Sequence, residues 1–292
     1  MTDKNFNDSF KTNQIINGEA QAVLKTLPEN SIHAIVTSPP YNCGIAYDSY
    51  KDKMDLNVYK ELMQGVMGEA HRVLKSGGRV MVNVPFACKT DNNTNHAYYF
   101  PAVLFTQILD ELGFLACDIL TWYKSKDNVA DILVGNTAWG SWRSPSSPRL
   151  RAFCESILIF SKDSYEYPND SGNESDISAD ESKLATRNAV FIDSHNEIVT
   201  YENIIMAKPE TKMMRRIKHP APFPEALVAR LLKLYTYPQD IVLDPFNGSG
   251  TTTSVCKKLN RQYIGIDLSA EYCKTAKNRL RELSTEIDED GE

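Results

Sequence analysis

Several features that mark other classes of protein are missing or scarce in this sequence. No apolar stretch approaches the roughly 20 residues that a membrane-spanning helix needs, and the polar residues 1–10 contain no signal-peptide core. The six cysteines include no CxxC pair and the five histidines do not cluster, which argues against a zinc site and against a disulfide framework. The net charge of −6 argues only weakly against nucleic acid, because local clusters matter more. These absences predict a soluble, cytoplasmic protein without a bound metal.

What is present is the pattern of an α/β protein. Short apolar runs alternate with segments whose apolar residues recur at helical spacing, which is typical of a mostly parallel sheet covered by helices on both faces. Seven runs are predicted as strands: residues 14–17, 33–37, 79–84, 117–122, 156–160, 241–244 and 263–267. Four segments are predicted as helices: residues 57–74, 101–112, 224–235 and a last helix capped by Ser269.

Two segments interrupt this alternation. Residues 163–181 are acidic, rich in serine and asparagine, and nearly free of large aliphatic side chains, so they are predicted to form a mobile surface loop. Residues 286–292 are predicted to be a solvated acidic tail. The alternation stays broken over residues 163–212, which we interpret as an insert.

The strongest local signal is the stretch VLDPFNGSGTT at residues 242–252. An apolar strand runs into a Gly-x-Gly turn that opens a helix, which lets the backbone approach a ligand closely. The stretch lacks the third glycine of a dinucleotide fingerprint and the Gly-Lys-Ser/Thr of a P-loop, so a diphosphate ligand is not favoured. Downstream, Asp267 ends the next strand, where an acid can accept both hydroxyls of a ribose or cap a helix. The two motifs together predict a nucleoside ligand.

These motifs, with the stretch TSPPY at residues 37–41, resemble those of the S-adenosylmethionine-dependent DNA amino-methyltransferases. Such enzymes methylate the exocyclic nitrogen of adenine or cytosine, and in their β group the catalytic motif precedes the cofactor motif, as here. The resemblance covers most of the chain. It implies a Rossmann-like methyltransferase fold with a seven-stranded sheet, a circularly permuted motif order and a small target-recognition insert. It also implies that the strand ending at Asp244 lies beside the strand ending at Thr37.

The resemblance divides the chain and names its ligand residues. It implies a catalytic half at 1–162, a target-recognition insert at 163–212, a cofactor-binding half at 213–285 and the tail. The implied cofactor is S-adenosyl-L-methionine. Glu19 lies in the turn before the catalytic strand, although the commoner pair there is Gly-Asp. The candidate cofactor-binding residues are Glu19, Thr37, Phe223, Pro224, Asp244, Pro245, Phe246, Asn247, Gly248, Gly250, Thr251, Thr252 and Asp267.

The loop Ser38-Pro39-Pro40-Tyr41 suits the methylation of an amine. An exocyclic amine is a poor nucleophile because its lone pair is delocalised, and acceptors that hold its N–H groups expose that lone pair. The Ser38 hydroxyl and the carbonyl of Pro39 or Pro40 can be these acceptors, since the proline rings fix the carbonyl direction. Tyr41 can stack on a target base that has flipped out of the duplex. Methylation at C5 would need a nucleophilic cysteine, and Cys43 does not follow a proline as that chemistry requires.

Two basic stretches, residues 142–151 and 208–218, flank the insert and offset the acidic total. Contact with phosphate is one interpretation, and a solvated face is the other. The candidate DNA-binding residues are Arg143, Arg149, Arg151, Lys212, Arg215 and Arg216. The expected partner is double-stranded DNA, with a cognate restriction endonuclease as a further candidate, and both a monomer and a homodimer remain open.

Three functions are compatible with this sequence. They are a DNA amino-methyltransferase, a methyltransferase acting on RNA or on protein glutamine, and a DNA-binding relative without activity. The intact Ser-Pro-Pro-Tyr loop and cofactor motif argue against the last of these. In the family, serine at the first position of this loop is commoner among cytosine-N4 enzymes and aspartate among adenine enzymes. We therefore predict N4 of cytosine as the target, with N6 of adenine as the alternative.

Overall fold

The computed structural model describes residues 11–89, 98–123, 154–170, 172–178, 189–192, 198–201, 204–206 and 224–289. Its strands are β1 (Gln14–Asn17), β2 (Ile32–Thr37), β3 (Leu74–Pro85), β4 (Cys88–Lys89), β5 (Tyr98–Tyr99), β6 (Phe114–Tyr123), β7 (Cys154–Lys162), β8 (Ala189–Ile192), β9 (Ile198–Tyr201), β10 (Ile204–Met206), β11 (Ile241–Asp244) and β12 (Gln262–Asp267). Its helices are α1 (Ala20–Leu24), α2 (Leu56–Val73), α3 (Pro101–Glu111), α4 (Glu225–Tyr235), α5 (Thr251–Lys258) and α6 (Ala270–Glu289).

Eight of these strands form one sheet in the order β1-β12-β11-β2-β3-β7-β6-β10. The strands from β1 to β3 in this order pair in parallel, whereas β7 pairs antiparallel with both β3 and β6. All seven predicted strands belong to this sheet, and the predicted Rossmann-like fold is confirmed. The short edge strand β10, which pairs in parallel with β6, adds an eighth strand from within the segment that we interpreted as an insert.

Both faces of the sheet are covered, which explains why its strands read as nearly continuous apolar runs. In β3, Val80 and Val82 belong to the core cluster that contains residues of α1, α2 and α3. The intervening Met81 belongs to the cluster that contains residues of α4, α5 and α6. The alternation of side chains along the strand therefore divides the core into two layers.

The strand order reverses between β11 and β2. These neighbours pair in parallel through Val242 with Ala34 and Leu243 with Ile35, although about 200 residues of chain separate them. The implied neighbourhood of these two strands is thus confirmed. Open α/β sheets bind ligands in the crevice at the carboxyl ends of strands where the order reverses, and this crevice contains the site described below.

The amino ends of the parallel strands carry the acidic segment instead. Lys75, near the start of β3, binds Asp170, and Arg261, just before β12, binds both oxygens of Asp176. The Tyr167 hydroxyl donates a 2.8 Å hydrogen bond to Asp240, the residue before β11. Residues 163–170 and 172–178 have no helix or strand. Apart from these contacts they lie mostly at the surface, and their mobility stays a prediction. This part of the segment also lies at the edge of the sheet opposite the crevice.

The C-terminal boundary differs as well. Helix α6 continues to Glu289, so it includes residues 286–289 of the predicted acidic tail. Among the described residues, no helix has the length and apolarity needed to cross a membrane. The same residues contain no group of three His, Cys, Asp or Glu side chains that could hold a metal ion.

Candidate active site

A cavity of about 250 Å³ lies where β1, β12, β11 and β2 end. Its wall combines carboxylates with aromatic rings, hydroxyls and apolar side chains from α2, a composition typical of small-molecule sites. The lining residues that follow these strand ends are Gly18, Glu19, Ser38, Pro40, Tyr41, Pro245, Phe246, Asp267, Leu268 and Ser269. The wall therefore joins members of the predicted cofactor set to members of the predicted catalytic set.

Asp267 is held at the end of β12 by backbone groups. Its Oδ2 accepts a 2.8 Å hydrogen bond from the Gly248 N–H, and its Oδ1 accepts a 2.8 Å bond from the Ser269 N–H. Burial raises the pKa of Asp267, while these two N–H groups act to lower it. Each oxygen keeps a second lone pair, so the carboxylate can accept the two hydroxyls of a ribose. The cap and ribose interpretations of Asp267 are compatible with each other.

Two further predicted cofactor residues lie on the same wall. Glu19 caps helix α1, since its carboxylate accepts hydrogen bonds from the Gln21 N–H at 2.9 Å and the Ala22 N–H at 2.7 Å. Phe246 follows Pro245 at the end of β11 and offers an aromatic ring to the cavity. An acid for ribose hydroxyls and a ring for the purine make the cavity suitable for the adenosyl part of S-adenosylmethionine.

Asp244 does not line the cavity, but its carboxylate fixes the residues behind the cavity wall. Its Oδ1 accepts from the Thr37 hydroxyl at 2.7 Å and from the Phe246 N–H at 3.0 Å, and its Oδ2 accepts from the Thr252 hydroxyl at 2.7 Å. Burial raises the pKa of Asp244 to about 6, although these hydrogen bonds oppose the shift. The Asp244 carboxylate therefore ties β2 to the turn after β11.

Most members of the predicted cofactor set lie behind the cavity wall and do not line it. Gly250, with φ of +83°, allows close packing, because a Cβ there would lie 2.7 Å from the Cβ of Ala276. Because Gly250 has no side chain, the start of α5 can pack closely against α6. Eight predicted residues do not line the cavity: Thr37, Pro224, Asp244, Asn247, Gly248, Gly250, Thr251 and Thr252. Phe223 lies outside the described residues.

The Ser-Pro-Pro-Tyr loop is fixed by two tyrosines. The Tyr59 hydroxyl of α2 donates a 2.6 Å hydrogen bond to the carbonyl oxygen of Pro40, and the Tyr99 hydroxyl donates to the carbonyl oxygen of Tyr41. Asn42 follows with φ of +55°, and its N–H donates a 2.6 Å bond to the buried Asp52. The loop is therefore held in place before any ligand binds.

Four polar side chains form a network behind this loop. Ser38 Oγ and Tyr41 Oη lie 2.5 Å apart, and Tyr41 Oη lies 3.3 Å from Glu155 Oε2. The Asn83 amide donates to Tyr41 Oη at 2.9 Å and to Glu155 Oε2 at 2.6 Å. Our sequence reasoning missed Asn83 and Glu155. The available signal was a polar residue at the carboxyl-edge end of an otherwise apolar strand.

The cysteines differ from expectation at one position. Cys43, which follows the loop, forms a disulfide with Cys88 in β4, with a Cα–Cα distance of 5.4 Å. The sequence argued against a disulfide framework, and this one pair forms because the chain segments after β2 and after β3 meet at one edge of the sheet. Paired in this way, Cys43 cannot be the nucleophile of a C5 methylation. The six predicted DNA-binding residues, Arg143, Arg149, Arg151, Lys212, Arg215 and Arg216, lie outside the described residues.

The fold and the site together define a class of protein. The Rossmann-like sheet has a cavity at the carboxyl ends of its strands, and Asp267 and the Ser-Pro-Pro-Tyr loop lie together in its wall. The chain belongs to the DNA methylase family, whose pattern it matches over residues 32–278. This assignment and the composition of the cavity support S-adenosyl-L-methionine, the predicted cofactor.

The curated relatives of this chain include type II methyltransferases and a DNA adenine methyltransferase. It is similar to the type II methyltransferase M.HpaI of Haemophilus parainfluenzae, with 30% identity over 267 residues, which cover 91% of this chain and 74% of the relative. It is also similar to the DNA adenine methyltransferase YhdJ of Escherichia coli K12, with 28% identity over 94% of this chain and 84% of the relative.

Solved structures share the fold. A putative DNA modification methylase from Thermus thermophilus, complexed with S-adenosyl-L-methionine, has a TM-score of 0.66 at 23% identity and covers 92% of this chain and 95% of that chain. The PvuII DNA methyltransferase, described as cytosine-N4-specific, has a TM-score of 0.64 at 20% identity and covers 91% of this chain and 85% of that chain.

Proposed function

We propose that this protein transfers a methyl group from S-adenosyl-L-methionine to N4 of a cytosine that has flipped out of double-stranded DNA. The observation that carries this proposal is the Ser38 hydroxyl, which lines the cavity at the first position of a fixed Pro-Pro loop. A cytosine amine carries two N–H groups, so it needs two acceptors on one wall.

The loop supplies this pair of acceptors. The carbonyl oxygen of Pro40 already accepts a hydrogen bond from Tyr59, whereas no hydrogen bond among the described residues involves the carbonyl of Pro39. The sequence left open which proline serves. The hydrogen bond from Tyr59 favours Pro39, whereas Pro40 lines the cavity, Pro39 is not among its lining residues, and the Pro40 carbonyl keeps a second lone pair. We infer that Ser38 Oγ and one of these two carbonyls hold the two N–H groups and expose the nitrogen lone pair. The ring of Tyr41 is the proposed stacking surface for the base.

The other wall of the cavity holds the cofactor in this proposal. Asp267 accepts the ribose hydroxyls, Glu19 provides a second negative charge, and Phe246 packs against the apolar parts of the ligand. When bound, S-adenosylmethionine supplies an electrophilic methyl group on its sulfonium. The chain contributes position and hydrogen-bond acceptors, and no strong base is needed because a methylated amine is acidic.

The choice of base rests on Ser38. The Ser38 hydroxyl can accept from the exocyclic amine of either base, so its acceptor role alone does not separate cytosine from adenine. N6 of adenine is therefore the second candidate, and the adenine-specific relative YhdJ favours it. Serine at this loop position, commoner among the cytosine enzymes of the family, favours cytosine.

The basic stretches complete the proposal. Arg143, Arg149, Arg151, Lys212, Arg215 and Arg216 are the proposed phosphate contacts. A cognate restriction endonuclease is a proposed functional partner, because the relatives include type II methyltransferases. The proposed location is the cytoplasm, in association with the nucleoid when the enzyme is on DNA.

The test offers S-adenosylmethionine with a labelled methyl group to DNA, RNA and protein. We expect label in DNA, and nucleosides from the digested DNA should contain N4-methylcytosine by mass spectrometry. N6-methyladenine without N4-methylcytosine would contradict the choice of base and leave the amino-methyltransferase assignment standing. Label only in RNA or protein would contradict DNA as the substrate.

A further inference from the structure

The network behind the Ser-Pro-Pro-Tyr loop includes a buried carboxylate. Glu155 and Asn83 are 4% and 3% exposed, and Tyr41 is 8% exposed. Glu155 lies at the start of β7, which runs antiparallel to β3 and so brings this residue to the same edge as Ser38. Hydrogen bonds connect Ser38 to Tyr41 and Tyr41 to Glu155 in one chain.

The chemistry of these groups sets the direction of the chain. An ionised carboxylate only accepts hydrogen bonds. The Asn83 amide nitrogen donates to both Glu155 and Tyr41, and the opposite amide orientation would place an oxygen against the carboxylate. Tyr41 Oη therefore accepts a hydrogen bond from Asn83 and uses its single proton to donate a hydrogen bond to Glu155. Ser38, 2.5 Å from the same oxygen, must then be the donor of their shared bond.

This direction decides what Ser38 presents to the cavity. With its proton turned to Tyr41, Ser38 Oγ keeps its lone pairs for an incoming N–H group. If Tyr41 instead donated to Ser38, the Ser38 proton would be free to point into the cavity. It would then face the N–H group from which Ser38 has to accept a hydrogen bond. Burial raises the pKa of Tyr41, so the tyrosine stays protonated and passes the direction on.

We propose that Glu155 is a positioning residue that makes Ser38 a hydrogen-bond acceptor for the target amine. The proposal rests on the function proposed above, and it holds for cytosine N4 and for adenine N6 alike. Glu155 touches neither base nor cofactor in this account. Its effect passes through Tyr41 and should appear in the turnover number and not in cofactor affinity.

The test compares Glu155→Leu, Glu155→Gln, Tyr41→Phe and the double variant Tyr41→Phe/Glu155→Leu in the full chain. Without the carboxylate, the Tyr41 proton can turn to Ser38, so we expect Glu155→Leu to lower kcat by about tenfold or more. The Kd for S-adenosylmethionine should stay within about twofold. Glu155→Gln, whose amide oxygen can still accept from both neighbours, should retain more activity. Glu111→Leu, at a half-exposed glutamate of α3, is the matched control.

The double variant separates this role from a general loss of structure. In the Tyr41→Phe background the chain is already broken, so Glu155→Leu should have little further effect on kcat. Wild-type turnover in Glu155→Leu, or equal losses in both backgrounds, would overturn the proposal. Should Glu155→Leu fail to fold, Tyr41→Phe alone decides, because unchanged turnover in that variant contradicts the chain. A wild-type protein that methylates no DNA would instead overturn the proposed function, and with it this inference.

Discussion

Two aspartates at the carboxyl edge of the sheet and two at the amino edge have opposite surroundings. At the carboxyl edge, Asp244 and Asp267 accept hydrogen bonds from neutral N–H and O–H groups, and burial raises the pKa of both. At the amino edge, Asp170 binds a lysine, and this bond lowers its pKa. Burial acts to raise the pKa of Asp176, but its arginine partner outweighs burial and the pKa is lowered. Among the described residues, no ion pair involves Asp244 or Asp267.

This difference separates attachment from ligand binding. An ion pair satisfies both charges and attaches one segment to another, as Asp170 and Asp176 attach their segment to the strand starts. Asp267 is held only by neutral donors and lines the cavity, so it keeps lone pairs for a ligand but lacks the stabilisation that a cation would give. Asp244 has the same kind of donors but lies outside the cavity wall, where it ties β2 to the turn after β11. The carboxyl edge is therefore suited to bind a ligand, and the amino edge contributes to the stability of the fold.

The largest effect should follow from Ser38→Ala at the carboxyl end of β2. Loss of one acceptor for the reacting amine should lower kcat by about a hundredfold, since its role is confined to the transition state. The Kd for S-adenosylmethionine, measured by calorimetry, should change by less than about twofold. Ser31→Ala is the control at the other end, because Ser31 precedes the same strand and bonds only to the Pro28 carbonyl through its hydroxyl. Turnover at the normal rate in Ser38→Ala would place the chemistry elsewhere.

Asp267→Ala should weaken cofactor binding by more than about tenfold. Hydrogen bonds between a carboxylate and two hydroxyls contribute about 1.5–3 kcal/mol, and this variant removes them. Calorimetry checks the Kd directly. Asp170→Ala is the matched aspartate at the amino edge, and its affinity should equal that of the wild type. An unchanged affinity in folded Asp267→Ala would contradict the ribose-binding role, and Asp267 would then act only as a helix cap.

Asp176→Ala should lower the stability of the fold and leave cofactor affinity unchanged, the reverse of Asp267→Ala. The Arg261 side chain is fully buried, so the variant leaves a buried guanidinium with fewer partners. We expect the free energy of unfolding to fall by about 1–3 kcal/mol in urea titrations, with cofactor affinity unchanged. Glu61→Ala, at an exposed glutamate of α2, controls for the loss of a charge alone. Weakened cofactor binding together with unchanged stability would break the proposed division between the edges.

The smallest effect concerns the titration of the two kinds of acid. Carbon-13 NMR of labelled aspartate carboxyls should find Asp244 titrating near pH 6 and Asp170 below 3.8, with Asp244→Asn and Asp170→Asn to assign the signals. The folded state holds the Asp244 proton more tightly than the unfolded state, so the stability that this group contributes is lost as pH rises from about 4 to 6. The contribution of Asp170 is instead lost as pH falls below its usual pKa. Equal titration of both acids near pH 4 would contradict the contrast.

The sequence predicted the carboxyl edge better than the amino edge. Strand β11 has the predicted bounds, and the motifs that end β2, β11 and β12 converge as the permuted order requires. These motifs carry their own signals, because a Gly-x-Gly turn or a Pro-Pro pair has few local alternatives. The motifs do not predict which of their residues line the cavity. Asp244 and Asp267 both end apolar strands and differ only in their neighbours in the fold.

The amino edge depends on contacts between distant residues. Composition predicts a mobile loop at residues 163–181, but it does not predict that Asp170 and Asp176 bind Lys75 and Arg261. Glu155 escaped notice for the same reason. It lies 114 residues from Tyr41 along the chain, and no local pattern relates the two.

Hydrogen–deuterium exchange with and without S-adenosylmethionine tests the division between the edges most directly. Backbone amides of residues 17–22, 246–250 and 267–269 should exchange more slowly when the cofactor is present, because they follow the strand ends that form the cavity. Amides of residues 163–178 should exchange at the same rate in both states. Protection of residues 163–178, with none at the strand ends, would contradict the account.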